Sequence, residues 1–362
     1  MAKRIESVDF LRGFTIAAMI LVNTPGNWSH VYGPLLHAEW HGLTPTDLIF
    51  PFFLFIVGIS IYFAYKNKPN AKSTYKKILI RSLKLVGLGL ILNWFIPYFP
   101  FFGDWETLRF PGVLQRIGIV FFISAILYLN CNWKSIFGIC ITILIGYWLF
   151  LGYVPFDGSL PTFDRAPNNW SMIIDSNLLG SHMYKVDYDP EGLFSSLPAI
   201  VSCLFGVLIG RLLDILNNRV VLLFGAAILF LISGYILNIW FPINKAIWSS
   251  SFVLVTCGWG TLILGLIYYL TDIKKVKIGS IFKYAGMNAI TVYFLSSFIS
   301  SIFYQTKIGN TNIHSWLYQT IFNHDFLGDK LSSLLYALAV VSIYLGLGYI
   351  IFKKKIIIAF KR

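Results

Sequence analysis

The chain has 362 residues, 57% of them hydrophobic and only 12% charged, with a formal net charge of +13. Soluble domains carry charge on about a quarter of their residues, so a soluble enzyme and a disordered chain are both excluded. The chain reads as an all-α polytopic protein whose first partner is the lipid bilayer.

Crossing a bilayer takes about 20 apolar residues per helix. Ten stretches qualify, at roughly 8–24, 44–65, 78–97, 112–130, 134–152, 193–213, 220–240, 249–271, 281–304 and 331–352. They are continuously apolar and too long for the ~10-residue alternating strands of a membrane barrel. The first follows MAKRIESVDF, and Asn23-Thr24-Pro25-Gly26 after it is no cleavage site, so the segment is expected to stay as a signal anchor. With the N-terminus inside, the inner loops hold 21 of the 29 Lys and Arg and the outer loops six (Arg109, Arg165, Lys185, Lys245, Lys307, Lys330). That bias follows the positive-inside rule, so the basic excess reports topology rather than nucleic acid, and both termini are expected in the cytoplasm. Residues 1–362 form a single transmembrane domain with long outer loops at about 25–43, 98–111, 153–192 and 305–330. Those loops hold all six histidines and most acids, an outer face suited to a sugar or amine ligand. The four cysteines lie in or beside predicted spans with no Cys-x-x-Cys spacing, and read as packing residues.

Polar residues in or beside these spans are the candidate functional groups. In the first, Asp9 and Arg12 are helical neighbours. They form either a local ion pair at the membrane boundary or an inner anion site with Arg12 on a phosphate. Asn23 lies three turns further along the same face, near the outer end. The densest cluster follows in Leu36–Gly58, where His37, Glu39, His41 and Asp47 run directly into a membrane helix. His37 and His41 are four apart, but the first is not followed by Glu, so no zincin motif forms and no metal is assigned. A histidine oriented by a carboxylate is the reading preferred here, and Asp47 also suits the first turn of the second helix. Gln115 and Arg116 begin the fourth helix, and a guanidinium at that depth faces a ligand or a structural partner. Asp187, Asp189 and Glu191 precede the sixth span, where an external ligand would arrive or a helix would simply begin. Gly286-Met287-Asn288 is a polar break in the ninth.

VDFLRG (8–13), LVN (21–23), HAEWHGLTPTDLIFPFFLFIVG (37–58), RFPGVLQRIG (109–118), YDPEGL (188–193), INKAIW (243–248) and GMNAI (286–290) occur in this order. Together they resemble the heparan-alpha-glucosaminide N-acetyltransferase family of transmembrane acyltransferases and its bacterial relatives. The resemblance implies an enzyme of the bacterial inner membrane that takes acetyl from cytosolic acetyl-CoA. The acceptor would be a glucosamine-type amine on the extracytoplasmic side, where the active site opens, and the enzyme would be a homodimer. It matches the family's catalytic histidine to His37, its acid to Asp47 and its first-helix asparagine to Asn23. The opening Asp-x-x-Arg-Gly also resembles the wider acyltransferase-3 group, which has His where Asn23 stands. Within that implied chemistry, His37 acts as general base or acyl acceptor, Asp47 holds its tautomer and Asn23 donates to the thioester carbonyl. Arg12, Arg116, Gln115, Arg81, Lys283 and Asn288 are candidates for the CoA side, and Glu39, His41, Asp189 and Glu191 for the acceptor side. A competing reading is a secondary transporter for a sugar or amino sugar, since such proteins also carry polar breaks and buried charge.

Overall fold

The structure is a computed structural model that describes residues 5–215 and 220–354. Lys3, Arg4, Arg219, Lys355, Lys361 and Arg362, part of the inner basic count, lie outside the described residues. The helices are α1 (Glu6–Asn23), α2 (Ile49–Tyr65), α3 (Lys72–Trp94), α4 (Val113–Asn130), α5 (Trp133–Tyr153), α6 (Trp170–Leu179) and α7 (Ser196–Ile215). They continue with α8 (Val221–Leu237), α9 (Ser250–Tyr268), α10 (Ser280–Met287), α11 (Ala289–Gln305), α12 (Ile313–Leu317) and α13 (Asp329–Lys353). A short antiparallel pair, β1 (Lys307–Ile308) and β2 (Thr311–Asn312), precedes α12.

Each of the ten predicted spans falls on a helix, but the count of ten is not carried by length and composition. Among the described residues six helices are long and apolar enough to cross a membrane, Pro45–Tyr65, Val113–Asn130, Trp133–Tyr153, Ser196–Ile215, Ser250–Ile273 and Asp329–Lys353. A seventh is counted only if the pair α10 and α11, bent by 84°, is taken as one span. The sequence reading treated 281–304 as a single helix; the chain instead turns sharply at Asn288. Helix α1 has the length but carries Glu6, Asp9 and Arg12, α3 carries Lys72, Lys76, Lys77, Arg81 and Lys84, and α8 has 17 residues. Helix α6 lies inside the stretch predicted to be an outer loop.

Helices α2, α4, α7 and α9 form the centre, with α1 against α2, α10 and α13. Small residues let the backbones meet. A Cβ at Gly206 of α7 would strike the Phe55 carbonyl of α2, and one at Gly58 of α2 would strike the Cys203 carbonyl of α7. Such small-residue contacts are how helices associate in lipid, where hydrophobic burial gives no net drive.

The polar groups sort to two ends. At one, Lys66 pairs with Asp214 at 2.7 Å, Asn70 bonds the Leu129 carbonyl, and Lys283 pairs with Glu6 at 2.8 Å. At the other, the Gly26 N–H bonds the Ser333 carbonyl, Asn93 bonds the Arg109 and Pro111 carbonyls, and the segment 37–47 meets residues 243–245. These contacts mark two ends of the helix bundle.

Replacing Gly206 with Val inserts methyl groups where the α2 backbone lies. It is expected to cost about 1–3 kcal/mol or more, read as a lower melting temperature in detergent. Gly225, which has open space around it, is expected to tolerate Ala with little change.

Candidate active site

The segment Thr44-Pro45-Thr46-Asp47 starts a helical turn in the way its residue types dictate. Thr44 is the N-cap, Pro45 takes the first helical position and Asp47 the third. Asp47 Oδ2 accepts from the Thr44 N–H at 3.0 Å, the Thr44 hydroxyl at 3.0 Å and the Ala38 N–H at 3.1 Å. Its other oxygen, Oδ1, lies 2.7 Å from His37 Nδ1. Asp47 is only 1% exposed, while the His37 side chain is 50% exposed. An ionised carboxylate only accepts, so Nδ1 carries the proton and the Nε2 lone pair is left for chemistry.

A second segment closes over this pair. The Gly42 N–H bonds the Ile243 carbonyl at 2.8 Å, and Asn244 donates to His41 Nδ1 at 3.2 Å. Lys245 Nζ stands 3.0 Å from His37 Nδ1, 3.2 Å from Nε2 and 3.8 Å from Asp47 Oδ1. Burial holds the Lys245 ammonium below the usual lysine range, against the opposing pull of Asp47 and Glu191. Asn244 also accepts from the Ile247 N–H, and the Ser249 hydroxyl caps α9. Between them Trp248 adopts φ 50°, a left-handed conformation costly for a large residue. Its buried ring packs on Phe50 and Phe252, and its Nε1–H donates to Ser202.

Arg116 lies at this same end. It is 1% exposed, stacks over Trp248 at 5.0 Å, and donates through Nη2 to the Gly192 carbonyl and the Ser195 hydroxyl. Its Nε and Nη1 have no hydrogen-bond partner. Gln115 donates to the Pro111 carbonyl at 3.4 Å and packs on Gly89 and Gly112. Asp189 is taken up by Arg109 in a two-pronged pair and by the Tyr184 and Glu191 N–H groups. Glu191 shares Arg109. His41 binds Asp164 at 2.8 Å, and Trp40 donates to the Phe163 carbonyl, so these residues dock the loop. Glu39 is exposed and, among the described residues, makes no hydrogen bond or ion pair.

Asn23 stands apart from the pair. It lines a cavity of about 260 Å³ between α1 and α11, with Thr24, Tyr293, Ser296, Ser297, Ser300 and Ser301 among the other walls. At the opposite end Arg12 bonds Asp9 at 3.1 Å, the Gly286 carbonyl at 3.3 Å and Ser60 at 2.7 Å. Arg81 stacks over Phe121 at 4.6 Å with Arg12 nearby, and among the described residues it makes no hydrogen bond or ion pair. Lys283 is held by Glu6. Asn288, at the bend, buries both side-chain polar atoms without a partner.

The structure thus brings together His37, Asp47 and His41, and separates them from Arg12, Arg81, Lys283 and Asn288. Sequence reasoning missed Lys245, whose signal was being one of only six outer cations inside the INKAIW motif. It also missed the serine run of α11, whose signal was four hydroxyls within six residues of an otherwise apolar helix.

The family described as heparan-alpha-glucosaminide N-acetyltransferase, catalytic, matches residues 4–220, so Lys245 lies beyond that match. The human heparan-alpha-glucosaminide N-acetyltransferase is 30% identical over 377 aligned positions, covering 86% of this chain and 55% of the human protein. The mouse protein of that name is 28% identical over 419 positions, covering 98% of this chain and 60% of its own length. The chain therefore spans little more than half the length of these relatives.

Asp175 of α6 accepts from the Phe194 N–H beside the Gly192 carbonyl that holds Arg116, and burial pushes it up to about 6. Its folded value lies above its unfolded one, so the stability it contributes is complete below about pH 4 and lost as pH rises through about 6. The melting temperature of Asp175→Asn is expected to lack that fall between pH 4 and 6 when both proteins are scanned in the same detergent.

Proposed function

This chain belongs to the heparan-alpha-glucosaminide N-acetyltransferase family, and on that footing we propose that it is a transmembrane acetyltransferase. It moves acetyl from cytosolic acetyl-CoA to the amine of a glucosamine-type sugar on the extracytoplasmic side. The observation that carries the reading is the His37–Asp47 pair, a histidine whose tautomer is set by a buried carboxylate and whose Nε2 points away from it.

Amine acetylation needs a neutral amine, a base for its proton and donors for the oxyanion. His37 Nε2 takes the proton as the amine attacks the thioester, and Asp47 stabilises the imidazolium that forms. Arg12 and Arg81, paired at the opposite end, are assigned to the CoA phosphates. Arg116 and Gln115 are removed from that role, since they stand at the His37 end. The hydroxyl-lined cavity with Asn23, at the last turns of α1, is assigned to the acyl-bearing arm. The His37 end is the extracytoplasmic one, because the lysine-rich stretch Lys66–Lys84 begins at the other. The bacterial inner membrane and the homodimer implied by the resemblance go with this reading.

His37→Ala is expected to lower transfer from labelled acetyl-CoA to glucosamine by about 10²–10⁴-fold while CoA binding persists. Arg12→Ala and Arg81→Ala are each expected to weaken CoA binding about tenfold or more, measured by calorimetry on the purified protein. The broken pair α10–α11 is the one observation that favours a transporter. Concentrative sugar uptake by vesicles free of acyl-CoA would decide for that alternative.

A further inference from the structure

We propose that Lys245 is a further catalytic residue, an oxyanion donor that rests on the His37 ring and moves to the acetyl carbonyl oxygen as negative charge forms there. This rests on the assignment of His37 and Asp47 made above.

The argument begins with a misplaced cation. The Lys245 side chain is 17% exposed, and among the described residues its nearest carboxylate oxygen, Asp47 Oδ1, is 3.8 Å away and already bonded to His37. An ammonium out of water normally acquires a close anion of its own. Here the close contacts are the two nitrogens of a base, at 3.0 and 3.2 Å. An atom this close to both ring nitrogens lies over the face of the imidazole rather than along the in-plane lone pair of Nε2. In the resting site the ammonium therefore covers the base without a good acceptor of its own, and it waits for a better one. The developing oxygen of a thioester beside Nε2 is such an acceptor.

The scaffold favours this role. Lys245 sits in a loop locked by Asn244, Ser249 and the buried, left-handed Trp248, and such pre-organisation makes an oxyanion donor effective. The charged and titratable groups facing it are His37 and Asp47 from the 37–47 segment, Glu191 from the loop before α7 and Arg116 from α4.

The step balances. The amine lone pair attacks the acetyl carbon and the carbonyl π electrons move to oxygen, where Lys245 donates. The amine proton passes to Nε2, now unmasked. The oxyanion re-forms the C=O, the C–S bond breaks with its electrons on sulfur, and the His37 Nε2 proton goes to the CoA thiolate. Lys245 returns to the ring with its charge unchanged.

The test measures acetyl transfer from acetyl-CoA to glucosamine by the purified full chain, across pH, for wild type, Lys245→Met and Lys245→Arg. Loss of one oxyanion donor is expected to lower kcat about 10²–10³-fold in Lys245→Met with the acetyl-CoA KM unchanged. Burial lowers the ammonium's pKa from its ordinary value, so the alkaline fall in wild-type kcat is expected to lie below the ordinary lysine range. Lys245→Arg is expected to keep partial activity and to lose that fall, because a guanidinium does not titrate there. Near wild-type kcat in Lys245→Met, or an unmoved alkaline limb in Lys245→Arg, would overturn the proposal. If Lys245→Met is recovered only as aggregate, the limb in Lys245→Arg decides alone. A His37→Ala protein with full activity sinks the underlying assignment instead, so the two failures are told apart.

Discussion

A buried carboxylate must have its oxygens filled, and the His37 end of this protein is organised around one that does. Asp47 accepts from the Thr44 hydroxyl, from the N–H groups of Thr44 and Ala38, and from His37. Leaving any of these donors or acceptors unmade in a site 1% exposed would cost about 1–3 kcal/mol. That requirement folds residues 37–44 back over the start of α2, sets the histidine tautomer and keeps Nε2 outward. The structural cap and the candidate acid–base pair are one set of bonds.

Packing then decides what else reaches that pair. Helix α2 can carry Asp47 to the end of the bundle only because Gly58 and Gly206 let α2 and α7 touch backbone to backbone. Helix α7 begins just after Gly192 and Ser195, which hold Arg116, and Arg116 supports the face of Trp248. Trp248 in turn fixes the loop that delivers Lys245. A chain of contacts runs from a glycine crossing in the apolar core to a cation on a histidine ring.

Much of the helical framework was legible because apolar runs of membrane length have few alternatives in lipid. Ten segments were read and each falls on helix, the ninth split between α10 and α11, yet among the described residues six pass as spans on their own, because α1 and α3 carry charges, α8 has 17 residues and α10–α11 is bent by 84°. The bend at Asn288 was visible as a polar break, but its angle was not, since a single polar residue in an apolar run does not say which way the chain turns. In the candidate site, His37 and Asp47 were singled out by the dense polar segment and by the family resemblance, and their contact spans only ten residues, whereas the capping box joins Asp47 to Thr44. Arg116 was read toward the CoA phosphates from its depth alone, and its partners Gly192 and Ser195 stand 76 and 79 residues away.

The sequence by itself determined the membrane class and the uneven spread of basic residues along the chain, and it drew attention to the polar segment that holds His37 and Asp47. These depend on composition and on contacts within about ten residues, where chain geometry leaves little freedom. Only the tertiary structure decided that Lys245, 208 residues from His37, rests on its ring, and that Asn23 faces a hydroxyl-lined cavity with α11. Helix pairings in lipid follow close packing of small residues rather than hydrophobic burial. Which distant loops share an end, and which side chains meet there, is fixed only once those helices have packed.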